Sequence, residues 1–364
     1  MREFITVSVL LLAAVAARAE DPLVVVAAAR TGHIEFFDAN LSALGSIGVN
    51  QLVESVTASP DGRRLYVAQE SQKASGACCG LFSLDLNTLK MCFLTAPALF
   101  GTPSPDGRFL FTQGERSVDI FNAKTLSRLP GMTAPGAYNL QPSPDGRWLL
   151  GVTNSPAPSV DIFDLKARAM VRRLPIPAGP VTGAWAGDRF YIFNYGYPGK
   201  GELWSVKPED TELPEAKPIT LPDLHGGCNE PVLLTMAGAS GRLFLAEAFG
   251  FKLDRRRACP DTARGDIYSI DTSSGQVEQL ARSVHVNRMA VTSDGNDLYV
   301  LESVGRRPQR DIGLLHIDTK DKHAFHHYAN SPALEPGDWN LSLAHIPPAL
   351  IPHGHLRASI SCSR

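Results

Sequence analysis

The chain has 364 residues, 44% of them hydrophobic and 20% charged, and a net charge of −2. That apolar share excludes a disordered chain, and the near-neutral balance excludes a global basic field for nucleic acid or an anionic membrane. Gly 31 and Pro 27 are above ordinary usage and suit many short strands and turns.

The first element is "MREFITVSVLLLAAVAARAE". Arg2 precedes an apolar run from Phe4 to Ala17, and "ARA" ends at Ala19 in an A-x-A pattern. Residues 1–19 are therefore predicted to be a signal peptide. An uncleaved anchor is the alternative, but the run is short for a membrane span. The rest is expected to be exported, to the periplasm or the medium, without a membrane span.

The strands that follow repeat one pattern. "TASPDGRRLYVAQ" (57–69), "TPSPDGRFLFTQ" (102–113), "QPSPDGRWLLGVT" (141–153) and "VTSDGNDLYVLES" (291–303) each run an apolar segment into a turn and out into a strand. Pro presets φ, Asp accepts nearby N–H groups, and Gly takes a positive φ. Weaker copies are "AWAGDRFYIF" (184–193) and "AGASGRLFLAE" (237–247). A second signature follows each strand: "IEFFD" to Asp38, "LFSLD" to Asp85, "VDIFN" to Asn122, "VDIFD" to Asp164, "IYSID" to Asp271 and "LLHID" to Asp318, with "ELWSV" (202–206) as the degenerate member. An acid or amide there accepts the N–H groups of the next turn.

Seven units of four short strands, about 40 to 55 residues apart, predict an all-β seven-bladed propeller. The blades are placed at about 22–49 plus 338–348, 50–97, 98–135, 136–178, 179–223, 224–283 and 284–330. The first unit begins at "LVVVAAA" without an innermost strand, and "WNLSLAHIP" (339–347) is a strand to spare. The ring is expected to close by lending that strand to blade one, which removes an open edge. The propeller then spans 20–348 and a tail 349–364.

"SPDGRRLYV" and its copies resemble the exported YVTN and WD40-like seven-bladed propellers. "SPDGRWLLGVTNSPAPSVDIFDL" (143–165) and "GDIYSIDTSSGQVEQL" (265–280) resemble the heavy chain of bacterial amine dehydrogenases. That resemblance implies a propeller without a cofactor, which holds a small disulfide-rich subunit bearing a quinone. "CNEPVLL" (228–234) and "VNRMAVTSDG" (286–295) are similar to metal-binding segments of propeller lactonases. That likeness implies a hydrolase with a channel metal, such as Ca, held by Glu230 and neighbouring amides.

A propeller gathers the starts of its innermost strands and the loops between second and third strands on one face. The S-P-D-G turns lie on the other, so function is expected on the long-loop face. A ring of amides falls near innermost-strand starts: Asn50, Asn139, Asn229, Asn287 and Asn340, with Glu230 and Arg288 beside two of them. Two roles stay open for this ring, contact with a ligand or ion and capping of the strand starts. "FKLDRRRACPDTARGD" in blade six and "VGRRPQRD" in blade seven carry Lys252, Arg255, Arg256, Arg257, Arg264, Arg306, Arg307 and Arg310 against four Asp, a local balance of +4. Such a patch steers an acidic protein partner or a small anionic ligand, or is a solvated loop pair with internal ion pairs.

The histidines of "KHAFHHYAN" and "PHGH" have no carboxylate partner in their motifs and read as surface residues. No G-x-S-x-G elbow, H-E-x-x-H or phosphate loop occurs.

Six cysteines in an exported chain favour disulfides. Cys228 and Cys259 map to the same face of blade six and are expected to pair. Cys78 and Cys79 form a vicinal bond or pair elsewhere. Cys92 falls opposite Ser83 and reads as a core thiol, and Cys362 as a tail thiol or an intermolecular partner. The function expected is a non-catalytic binding or scaffold module, with the lactonase-type hydrolase as the alternative.

Overall fold

The computed structural model describes residues 21–29, 32–49, 51–70, 79–96, 98, 100–113, 117–133, 139–153, 157–177, 181–196, 200–221, 233–239, 241–248, 265–283, 286–304, 311–328 and 340–362. The expected signal peptide lies outside them.

Blade one contains β1 (Leu23–Ala29), β2 (His33–Phe37) and β3 (Ala43–Gly48). Blade two is β4 (Val53–Ala58), β5 (Arg64–Glu70), β6 (Cys79–Asp85) and β7 (Lys90–Thr95). Blade three is β8 (Thr102–Pro103), β9 (Phe109–Gln113), β10 (Ser117–Asn122) and β11 (Arg128–Thr133). Blade four is β12 (Asn139–Pro142), β13 (Trp148–Thr153), β14 (Ser159–Asp164) and β15 (Ala169–Pro175). Blade five is β16 (Val181–Ala186), β17 (Arg189–Gly196), β18 (Lys200–Val206) and β19 (Lys217–Thr220). Blade six is β20 (Leu233–Ala239), β21 (Arg242–Ala248), β22 (Gly265–Asp271) and β23 (Val277–Ser283). Blade seven is β24 (Val286–Val291), β25 (Asp297–Val304), β26 (Asp311–Asp318) and β27 (His323–Tyr328). The chain ends in β28 (Asn340–His345), a 3-10 turn, β29 (Gly354–Arg357) and β30 (Ser359–Cys362). Among the described residues these strands form seven sheets. The fold is a seven-bladed β-propeller.

β28 pairs antiparallel with β1, from Leu23 opposite His345 to Ala28 opposite Asn340. It is the innermost strand of blade one, so the C-terminal segment closes the ring as expected. The chain then does something its sequence did not suggest. β29 adds to β3 and β30 adds to β7, both in parallel, which makes blades one and two five-stranded. Consecutive amides bridge the seam: Ala358 N–H donates to the Gly48 carbonyl at 2.9 Å and Ser359 N–H to the Leu89 carbonyl at 3.0 Å. Residues 354–362 form a strap along the outer rim of two blades.

The strap corrects the reading of Cys92. It is not a core thiol: it is disulfide-bonded, on a strand whose new neighbour sets Cys362 beside it. The expected Ser83–Cys92 pairing across β6 and β7 holds. The strap also gives His355 a partner, because its Nδ1 lies 2.6 Å from Ser46 Oγ.

The turns follow their local chemistry. Ser59 donates its hydroxyl to Asp61 Oδ1 at 2.6 Å, and Arg63 N–H donates to the same oxygen at 3.2 Å. Ser104–Asp106, Ser143–Asp145 and Thr292–Asp294 repeat the arrangement. On the other short turns, Asp85 Oδ1 accepts Thr88 N–H at 2.9 Å, and Asn122, Asp164, Asp271 and Asp318 accept equivalent amides. In the degenerate blade five, Asp210 takes over and accepts Lys207 N–H at 2.8 Å. The acids at these turns are structural.

Packing between blades follows the period-two alternation of the strands. Val24, Val26, Ile34 and Phe36 of blade one meet Val53, Leu65, Val67 and Leu84 of blade two in one buried cluster. Burial of each large side chain contributes about 1.5–3 kcal/mol.

One turn glycine carries more than a turn. Gly62 and Gly107 share a positive φ, +64° and +68°. A Cβ on Gly107 meets only Pro60 Cδ at 3.9 Å, whereas a Cβ on Gly62 would lie 1.9 Å from the His345 carbonyl oxygen. Gly107→Ala is expected to cost about 1–2 kcal/mol for the left-handed backbone. Gly62→Ala should cost at least twice as much, because the closing strand must shift. Chemical-denaturant melts of the two variants check this, and equal losses would show that β28 does not press on the turn.

Candidate functional site

The second strand of each blade leaves a short turn and ends at the opposite, long-loop face. A polar side chain sits at four of these ends: Gln69, Thr153, Asn194 and Glu302, each no more than 3% exposed. Each is the seventh residue after its turn glycine, Gly62, Gly146, Gly187 or Gly295. Repeat alignment therefore had the signal, and composition alone did not. Asn194 shows one task of this collar: its Nδ2 donates to the Pro177 carbonyl at 3.2 Å, tying blade five to the end of blade four. Asn194 Oδ1 and Gln69 Nε2 are buried without a hydrogen-bond partner among the described residues. Such atoms are costly unless something satisfies them.

Nearer the axis, three of the expected amides have described backbones. Asn139 opens β12 opposite Val152, and Asn340 opens β28 opposite Ala28. Asn287 falls where the β24–β25 register shifts between Val286 and Arg288. All three thus stand at or near the starts of innermost strands. Asn50, Asn229 and Glu230 lie outside the described residues. So do Arg255, Arg256, Arg257, Arg306, Arg307 and Arg310, and Cys78, Cys228 and Cys259. Cys79 begins β6 opposite Glu70.

Arg288 has a described side chain, and its contact is informative. The guanidinium carbon lies 6.0 Å from the centroid of the Phe100 ring. Arg288 belongs to the innermost strand of blade seven, and Phe100 precedes that of blade three. The innermost strands run β24, β28, β4, β8 around this side of the ring, so blades one and two lie between the two residues. The contact therefore reaches across the central channel. Phe100 is 36% exposed, and its carbonyl accepts the Thr112 hydroxyl at 2.6 Å, which holds that stretch of backbone. The guanidinium and the aromatic ring together place a cation and a partly accessible flat apolar face at one point of the channel mouth. The pair itself contributes on the order of 0.5–1 kcal/mol where exposed. Phe100 was not among the residues singled out from sequence.

The opposite face has its chemistry occupied by turns. The Ser143 hydroxyl holds Asp145 below the usual carboxylate range, and the Thr292 and Ser273 hydroxyls do the same for Asp294 and Asp271. Burial pushes Tyr66 and Tyr299 up to about 12. Tyr299 donates to the Ala39 carbonyl at 3.0 Å and stacks on His316, sealing blade seven against blade one. Burial also raises Glu35, against the opposing pull of His355. Each of these shifts has a structural cause. Among the described residues no group of three or more His, Cys, Asp or Glu is placed to hold a metal ion.

Comparison with known proteins gives the same picture at low resolution. No known family profile matches the chain. It is 24% identical over 199 residues to the methylamine dehydrogenase heavy chain of Methylobacillus flagellatus. The sequence likeness is to an amine dehydrogenase heavy chain. It covers 46% of this chain and 49% of that one, so it spans about half of each protein. Solved structures with a similar fold include the hydrazine synthase of Kuenenia stuttgartiensis, with a TM-score of 0.53 at 16% identity over 72% of this chain and 76% of that one. The dihydro-heme d1 dehydrogenase NirN in complex with DHE has a TM-score of 0.55 at 15% identity over 90% and 76%. A candidate 6-phosphogluconolactonase from Bacteroides uniformis has 0.57 at 14% over 84% and 95%. At these identities the structural likeness shows the fold and nothing finer.

Proposed function

We propose that this chain is an exported, non-catalytic propeller that binds a partner through its long-loop face, in the manner of an amine dehydrogenase heavy chain. The observation that carries the reading is the Arg288–Phe100 contact across the channel. It sets a cation and an exposed ring at the centre of the long-loop face, where the sequence leads us to expect the eight further cations of the blade six and seven loops, which lie outside the described residues. The half-length likeness to a methylamine dehydrogenase heavy chain supports a scaffold role. The partner is an acidic protein or a small anionic ligand, and no cofactor belongs to this chain.

The test is affinity capture on the immobilised full chain from the native periplasm or medium, at low ionic strength. Wild type is expected to retain an acidic protein stoichiometrically. Arg288→Ala should weaken retention, and replacing Arg256, Arg257, Arg306 and Arg307 together by Ser should abolish it, most clearly at low salt. Retention unchanged in both variants sinks the reading.

A second reading is a lactonase-type hydrolase with a channel Ca ion near Glu230, favoured by the fold likeness to a candidate 6-phosphogluconolactonase. It predicts a calcium-dependent rise in melting temperature and hydrolysis of a lactone.

A further inference from the structure

We infer that Cys92 and Cys362 form a disulfide that fastens the C-terminal strap to blade two, so that the propeller is closed once at its axis by β28 and a second time, covalently, at its rim. Three observations carry this. Cys92 is disulfide-bonded. The β30–β7 register sets Cys362 directly beside it. Neighbouring strands lie about 4.8 Å apart, within the 4.4–6.8 Å between Cα atoms that a disulfide spans.

The other cysteines fit poorly. Cys92 stands opposite Ser83, four residues along β6 from Cys79. That separation is roughly 13 Å at the rise of a strand, beyond disulfide reach. Cys78 precedes Cys79 in the chain and lies outside the described residues. Cys228 and Cys259 belong to the sequence of blade six, whereas Cys92 lies on the outermost original strand of blade two.

The local structure explains why a bond is useful here. β29 and β30 have four residues each and pair in parallel at the sheet edge. Ile360 on the strap is 57% exposed, and Phe93, two residues along β7 from its register partner Met91, is 43% exposed, so little apolar burial anchors this end. The strap reaches its seat only after the chain has passed around the whole ring. A bond between residues 92 and 362 closes a very long loop, the case in which a crosslink restricts the unfolded chain most.

Formation removes two electrons and two protons from the paired thiols. Thiol–disulfide exchange with the disulfide form of a thiol oxidoreductase, or with a small disulfide, accepts them: the bond between the oxidant's sulfurs breaks, those sulfurs leave as thiols, and the Cys92–Cys362 bond forms. In a reducing compartment the strap keeps only its backbone pairing, the His355–Ser46 contact and the buried Ala358.

Non-reducing digestion of the full exported chain, with peptide mapping, tests the pairing. A crosslinked peptide containing Cys92 and Cys362 is expected. Recovery of Cys92 as a free thiol, or joined to another cysteine, overturns the inference. A second measurement reads the mechanical role without relying on a variant's folding. Hydrogen exchange of the native chain should quicken at residues 354–362 on mild reduction while blades three to five stay protected. Unchanged exchange of the strap would show that the bond does not hold it. Cys92→Ser and Cys362→Ser should each lower the melting temperature by roughly 5 °C, with no further loss in the double variant. Additive losses would mean that the two residues act separately.

Discussion

A chain truncated before Trp339 is expected not to fold to a soluble propeller. The deletion removes β28, whose six backbone pairs with β1 fill the innermost position of blade one. At about 1 kcal/mol per net hydrogen bond, that ladder is worth roughly 6 kcal/mol. Burial of Leu341 and Ala344, both 7% exposed, adds about 3 kcal/mol more. The sum of about 9 kcal/mol rivals the total stability of an ordinary domain. The exposed edge of β1 would also invite intermolecular pairing. A chain stopped after Ile346 separates the two closures. It keeps β28 and loses only the strap, so it should stay soluble and melt cooperatively at a lower temperature. Soluble yield and thermal melts of the two truncations decide the matter. If the shorter chain melts where the full chain does, ring closure by β28 is not what holds the fold.

The second large effect lies in blade four. Asp161 on β14 has no solvent exposure, and Arg173 on β15 meets it with two bonds, Nε to Oδ1 and Nη2 to Oδ2, both at 2.6 Å. Arg173→Met leaves a buried carboxylate without its cation and should destabilise the protein by about 3 kcal/mol. Replacing both, Asp161→Leu with Arg173→Met, should recover most of that loss, because the desolvation cost leaves with the charge. Arg128→Met should cost less. It meets Asp119 through one Nη2 bond at 2.7 Å, and its side chain is more exposed than that of Arg173. Urea melts with a double-mutant cycle measure all of this. A single Arg173 variant as stable as wild type would show that the carboxylate finds water or another donor.

Much of the fold was legible because its turns are local. Ser59, Asp61 and Gly62 satisfy one another within four residues, and Asp85 bonds amides two and three residues on. Such chemistry repeats visibly, and the blade count follows from it. The spare strand at Asn340–His345 was legible for a different reason, since blade one plainly lacked an inner strand. The strap was not. "GHLR" and "SISC" are only four residues each, too short for a period-two pattern to announce a strand, and their partners, β3 and β7, are more than 250 residues away in the chain. The misreading of Cys92 has the same origin, because no local pattern announces a strand added at the chain's far end. The Arg288–Phe100 contact was hidden too. It depends on the diameter of the ring, which no single blade encodes. The backbone positions of Asn139, Asn287 and Asn340 were easier to locate, since a position at the start of an innermost strand follows from the repeat.

The closing strand also sets an order of events. β1 and its partner β28 are separated by almost the whole chain, whereas every other blade draws its four inner strands from one continuous stretch, blade two gaining β30 at its rim. A chain emerging from the amino-terminal end can therefore form the four inner strands of each of blades two to seven as they arrive, while blade one must wait with an unpaired border. Until Asn340–His345 arrives, the nascent protein is a horseshoe with two adhesive ends. Contacts this distant in sequence form slowly. A factor that shields strand borders during biogenesis would find its client in that horseshoe, and the finished ring would no longer present the surface it recognises.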